Sequence, residues 1–109
     1  MAEIDFTPRN TISHIDTGEY TGRIIEIKLD KKRNALWFLI DIENLGVLNT
    51  PLSLNSEALN KFALKCLNEN KKFDTDNALN KEIKFRTIDR IINESIYTQI
   101  TEIDFCEHQ

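Results

Sequence analysis

The stretch YTGRIIEIKLDKKRNALWFLIDIE, residues 20–43, decides the reading of this chain. Its second half alternates cleanly, with Leu36, Phe38, Ile40 and Ile42 on one side and Trp37, Leu39, Asp41 and Glu43 on the other. Two-residue alternation is the pattern of a strand with one buried face. The first half alternates less regularly: Ile25, Ile27 and Leu29 share one face, opposite Ile24, Glu26 and Lys28. Gly22 marks the place where a bulge or sharp bend is expected. Between the halves lies the polar turn Asp30-Lys31-Lys32-Arg33-Asn34, in which Asn34 tolerates positive φ. Together these segments predict a β-hairpin.

Downstream, Asn44-Leu45-Gly46 reads as a second turn and residues 47–54 as a third strand, with Pro51 at an edge or break because it lacks a donor. Ser56 is a good helix N-cap, followed by Glu57 where the helix dipole favours an acid. Leu59, Phe62, Ala63, Cys66 and Leu67 then fall at helical spacing, which predicts a helix over 57–69. A polar loop over 70–80 follows, pinned by Phe73 and Leu79. Residues 81–88 alternate as a fourth strand, 89–94 read as a turn, and 95–105 as a fifth strand. The fold class expected is therefore all-β with one helix, in the order β-β-β-α-β-β. That is the order of the five-stranded Greek-key barrel of the oligonucleotide-binding (OB) fold. A meander packed on a helix has the same order. The domain spans 18–105, preceded by an arm at 1–17 and followed by a short acidic tail at 106–109.

With 109 residues, 40% of them hydrophobic and 29% charged, one globular domain is all the chain can form. It contains no transmembrane-length apolar run and begins with no secretory leader, so a cytoplasmic protein without membrane contact is expected. Two cysteines, Cys66 and Cys106, suit a reducing compartment. The net charge of −4 conceals a pattern. Residues 23–33 hold five basic side chains against two acidic ones, and residues 61–72 hold four lysines against one glutamate. The acidic residues gather at the ends, which leaves room for a local electropositive groove.

No enzyme is expected. His14 and His108 are the only histidines, and Cys106 and His108 lie at a terminus that gives no fixed base–nucleophile geometry. Neither a zinc-ligand spacing nor a phosphate-binding glycine loop can be written, so no catalytic residue, metal or cofactor is assigned. Cys66, on the apolar stripe of the helix, reads as a small buried hydrophobe.

The remaining signals concern binding. Trp37 lies opposite the core side of its strand, where it serves either as a platform for an unpaired base or as packing under a loop or in a dimer interface. Lys31, Lys32 and Arg33, with Lys28 beside them, and Lys84 and Arg86 on the fourth strand, are either a phosphate track or a solvated surface. Tyr20 and Tyr97 are secondary platforms or core-rim residues.

The segment GEYTGRIIE at 18–26, then WFLIDI at 37–42 followed by a helix, resembles the small single-stranded-DNA-binding proteins of phages that infect Gram-positive bacteria. LNKEIKF at 79–85 and YTQITEIDF at 97–105 are similar to the closing hairpin of that family. Many members carry Leu-x-Gly-Lys at the start of the fourth strand, and here Asn80 stands in place of the glycine. The resemblance implies an OB fold, action in phage DNA replication or recombination in the host cytoplasm, and assembly into dimers or larger oligomers. The expected partner is single-stranded DNA, bound without sequence specificity, together with further copies of the chain and a replication or recombination protein. The alternative is a protein-binding module of the same fold that blocks or recruits a host protein. Outward Leu39 and the edge strands are the apolar surface expected to support a homodimer.

Overall fold

The computed structural model describes residues 11–106. In chain order the elements are β1 (Thr11–Ile12), β2 (Gly18–Asp30), β3 (Ala35–Ile42), β4 (Gly46–Ser53), α1 (Glu57–Leu64), a 3₁₀ turn (Thr75–Asn77), β5 (Glu82–Ile92) and β6 (Ser95–Phe105). The strands form one sheet in the order β1-β4-β3-β2-β5-β6. β1 runs parallel to β4, and every other neighbouring pair is antiparallel. The protein is thus mostly β with one helix, as expected, but it has a sixth strand. β1 lies in the segment expected as an arm, and Ile15 just after it is buried in the core.

The 20–43 hairpin forms with Asn34 at its turn, φ 54°. In β3 the alternation holds, with Phe38, Ile40 and Ile42 buried. In β2 the facing differs from expectation. The register shifts between Ile24 and Glu26, so Ile24 is fully buried, Ile25 turns outward, and Ile27 returns to the core side. Leu29, expected on that side as well, is 54% exposed. The bulge therefore sits at Ile25 and not at Gly22. Gly22 instead permits a close approach of backbones, since a Cβ there would lie 2.7 Å from Ile40 Cγ2 and 3.0 Å from the Asp41 carbonyl oxygen. Its bare Cα lets β2 lie close against β3.

α1 starts as expected, with the Ser56 hydroxyl accepting from the Leu59 backbone N–H at 3.2 Å. It ends at Leu64, well before residue 69. The Lys65 and Cys66 N–H groups donate to Phe62 and Ala63, three residues back, and this tightening closes the helix. Leu67 then leaves to bridge Phe73. The helix delivers Phe62 to the core, edge-on to Phe38 and against Phe105. Cys66 is fully buried there, and burial pushes its thiol up to about 11, so it stays protonated and packs as an apolar group. Phe73 and Leu79 pin the following loop to the core. Asn80 takes φ 64°, the conformation a glycine would supply.

β5 continues to Ile92, through residues expected as a turn. The turn is only Asn93-Glu94, both at positive φ, which is the two-residue geometry whose twist matches a hairpin. β2 pairs with β5 only as far as Thr87, so residues 88–92 and their β6 partners form a two-stranded ribbon beyond the sheet.

The expected closed barrel is not formed. The edges of the sheet, β1 and β6, share no ladder. The physical reason is that β1 occupies the β4 edge at Val47 and Leu48. Pro51 lies farther along β4, past that short ladder, where its missing N–H costs no pairing. Individual hydrogen bonds cross the remaining gap, and they meet at Thr98. Its N–H donates to the Ser13 carbonyl at 3.3 Å. Its hydroxyl accepts from the Ile15 N–H at 2.7 Å and donates to the Ile15 carbonyl at 3.1 Å. Its carbonyl accepts from the Thr50 hydroxyl of β4 at 3.2 Å. Thr50 and Thr98 are both buried, so this seam works in a low-dielectric setting where a lost partner is costly. Among the described residues no helix is long and apolar enough to cross a membrane.

Candidate nucleic-acid interface

Trp37 occupies the middle of β3 with Lys28 of β2 on one side and Pro51 of β4 on the other. Its ring is half-buried. The indole N–H donates to Asp30 Oδ2 at 3.2 Å, and the Arg33 backbone N–H donates to Asp30 Oδ1 at 3.2 Å. These two bonds, the indole's first, hold the Asp30 carboxyl below its usual range. One aspartate thereby fixes both the tilt of the tryptophan and the shape of the basic turn.

Two concavities meet at Trp37. The first, about 670 Å³, is walled by Lys28, Lys31 and Lys32 with Leu39 and Asn49. The second, about 740 Å³, runs toward the ribbon and is walled by Arg33, Arg90, Tyr97, Gln99 and, again, Asn49. Both share Trp37 and Asn49, so they adjoin as one trough over β3 and β4, with the ring lining both parts. Lys28 pairs with Glu26 at 3.5 Å and Arg33 with Asp30 at 3.9 Å. Lys31, Lys32 and Arg90 make no ion pair among the described residues. Five basic side chains, Lys28, Lys31, Lys32, Arg33 and Arg90, line the trough against Glu26 and Asp30, so its lining is net positive although the chain as a whole is acidic.

Of the residues singled out from the sequence, the structure gathers Trp37, Lys28, Lys31, Lys32, Arg33 and Tyr97 at this trough. It does not bring Lys84, Arg86 or Tyr20 there. Those three line a separate depression with Glu19, Glu102 and Asp104. Arg86 is ion-paired with Glu19 and faces Glu102 at 3.9 Å. That pairing holds the Glu19 carboxyl low and raises the guanidinium, so little charge is left for a phosphate. Tyr20 is stacked on Phe85 at 5.9 Å, and its hydroxyl donates to the Asp16 carbonyl at 2.7 Å. Its rim-of-the-core alternative is the one realised.

Sequence reasoning missed Arg90, Asn49 and Gln99. Arg90 fell in a segment read as a turn. The signal that could have found it is Asn93-Glu94, a two-residue turn flanked by Ile-Ile and Ser-Ile-Tyr, which lets β5 run on past Arg90. Leu39, expected as exposed apolar surface, is half-buried in the trough. Leu29, Leu45 and Leu64 are open elsewhere, but the largest group of exposed apolar side chains lies on the ribbon: Ile91 is 70% and Ile96 50% exposed, with Ile88, Ile92 and Tyr97 also open. Among the described residues, no three His, Cys, Asp or Glu side chains are grouped to hold a metal ion.

Compared with protein-family models, with curated protein sequences and with solved structures, the chain matches none.

Proposed function

We propose that the protein binds single-stranded DNA along the trough, with bases stacked on Trp37 and phosphates along the cationic rims. The observation that carries this reading is one aromatic ring, held by Asp30, lining a trough that also bears Lys31, Lys32 and Arg90, which make no ion pair among the described residues. Single-strand binders combine a positive groove for the backbone with aromatic platforms for the bases. Five long strands with α1 between the third and fourth, adjacent as β4-β3-β2-β5-β6, support assignment to the OB type, here with an open seam. Likeness in residues 18–105 to phage single-stranded-DNA-binding proteins points the same way, toward a non-catalytic, cytoplasmic role in phage DNA replication or recombination. Acidic overall charge favours the open, unpaired strand, whose lower charge density demands less of the protein than duplex does.

Salt dependence tests the phosphate contacts. Each phosphate neutralised on a single strand contributes a slope of about 0.7 in log affinity against log salt. Neutralising Lys31, Lys32 and Arg33 together should lower the slope magnitude for an oligo-dT strand by about 2. Changing Lys84 and Arg86 to glutamine should leave the slope as it was. An unchanged slope in the triple variant would return the turn to a solvated hairpin tip.

One observation favours protein contact as well. Ile91 and Ile96 face each other across the ribbon and are both open to solvent. Exposed apolar surface of this kind marks a contact site. We assign it to a second copy of the chain. Light scattering should give a mass above the 12.7 kDa of one chain, and Ile91→Lys with Ile96→Lys should return it to that value. A wild-type mass of 12.7 kDa would instead leave the ribbon to a foreign protein, the reading in which the module binds a host factor.

A further inference from the structure

Asn49 is an anomaly that phosphate binding and stacking leave unexplained. Asparagine is depleted in strands, and among the described residues Asn49 is the one asparagine inside a strand of this sheet. Most of the others serve local ends. Asn34, Asn44, Asn80 and Asn93 occupy left-handed turn positions. Asn60, Asn68 and Asn77 are bonded to nearby backbone. The Asn49 carboxamide has no hydrogen-bond partner among the described residues, is half-buried, and stands where the two concavities join beside Trp37. Gln99, a second half-buried carboxamide without a hydrogen-bond partner among the described residues, lines the same trough from β6.

A phosphate accepts hydrogen bonds and donates none, so a wall built for the backbone needs donors alone, such as the lysines and arginines of the rims. A carboxamide presents a donor beside an acceptor. That pair is complementary to the Watson–Crick edge of a base. Adenine offers N6–H beside N1, cytosine N4–H beside N3, guanine N1–H beside O6, and thymine N3–H beside O4. A carboxamide that turns over satisfies either order, so one side chain serves all four bases.

We infer that Asn49, assisted by Gln99, hydrogen-bonds the Watson–Crick edge of the base stacked on Trp37, which makes the trough selective for unpaired bases. In a duplex that edge is already occupied by the complementary base, so the contact rejects paired strands without reading sequence. This rests on the single-strand reading above and adds to it the group that tells unpaired from paired.

The test uses an oligo-dT strand and the same strand carrying difluorotoluene in place of thymine, an apolar mimic of similar shape that stacks but has little capacity for hydrogen bonds at its edge. Wild-type protein should bind the apolar strand at least about fivefold more weakly while Trp37 fluorescence is still quenched by both. Asn49→Leu combined with Gln99→Leu, which removes both carboxamides from the trough, should bind both strands equally. Equal wild-type affinity for the two strands, with quenching intact, would overturn the inference and leave the stacking site standing. A difference that survives in the double variant would overturn the assignment to these two carboxamides. Absence of binding to either strand would remove the single-strand reading itself, and this inference with it. The wild-type comparison needs no variant to fold.

Discussion

Replacing Trp37 by alanine should weaken binding of an oligo-dT strand by about 5- to 150-fold, since stacking one base on an aromatic ring contributes roughly 1–3 kcal/mol. Fluorescence anisotropy of a labelled strand reads this directly, because the variant has no tryptophan of its own. Trp37→Phe should fall between the two, keeping an aromatic platform and losing the indole N–H that Asp30 accepts. The ring is half-buried and bonded, so the alanine change should also cost about 1–2 kcal/mol of stability. Such a loss leaves an ordinary domain folded, and the binding defect can be measured on native protein. Full affinity in Trp37→Ala would place the tryptophan in a packing or interface role and remove the trough as the binding site.

The second large effect lies at the seam. Thr98→Val keeps the shape of the side chain and deletes the hydroxyl that serves both the N–H and the carbonyl of Ile15. Leaving a buried polar group unpaired costs about 1–3 kcal/mol, and here there are two, so a total loss of about 2–6 kcal/mol is expected. Urea unfolding should show it as a lower midpoint at unchanged slope. Thr98→Ser, which retains the hydroxyl, should recover most of the difference. A loss below about 0.5 kcal/mol would mean that Ile15 finds other partners and that the seam is incidental.

The strength of the hydrophobic pattern decided how much of this was legible beforehand. β3 was readable residue by residue because Phe38, Ile40 and Ile42 alternate without interruption and are all buried. The start of α1 was readable from Ser56 and the apolar spacing behind it. In β2, consecutive isoleucines hid the bulge: Ile24-Ile25 fits either phase of alternation, and the choice depends on how β2 meets β3. β1 was invisible since two residues carry no period. Its pairing is set by β4, a distant part of the chain. At the candidate site, Trp37 and the basic turn lie within one hairpin, so local reading brought them together. Lys84 and Arg86 share the outward phase of their strand, but Arg86 is committed to Glu19 and Glu102, and both line a different depression, which no alternation pattern reveals. Asn49 reaches the trough because β4 pairs it with Leu39, and Arg90 because β5 runs on to Ile92, and neither side chain carries a charge-cluster or aromatic signal that would mark it in the sequence.

The seam also bears on the order of events in folding. Ile15 and Thr98 are 83 positions apart, whereas the β2–β3 and β5–β6 pairings close over short turns. Local hairpins form in microseconds, while a contact across most of the chain waits until the elements between have been positioned. In synthesis from the ribosome, residues 13–15 emerge early and must wait for residue 98 before they are held. Until then the β4 edge beyond its two-residue ladder with β1 stays uncovered, the circumstance in which strands of neighbouring chains pair wrongly. The protein's exposure to aggregation is therefore concentrated in the interval before its last-made strand arrives, and how quickly Thr98 engages Ile15 governs how long that interval lasts.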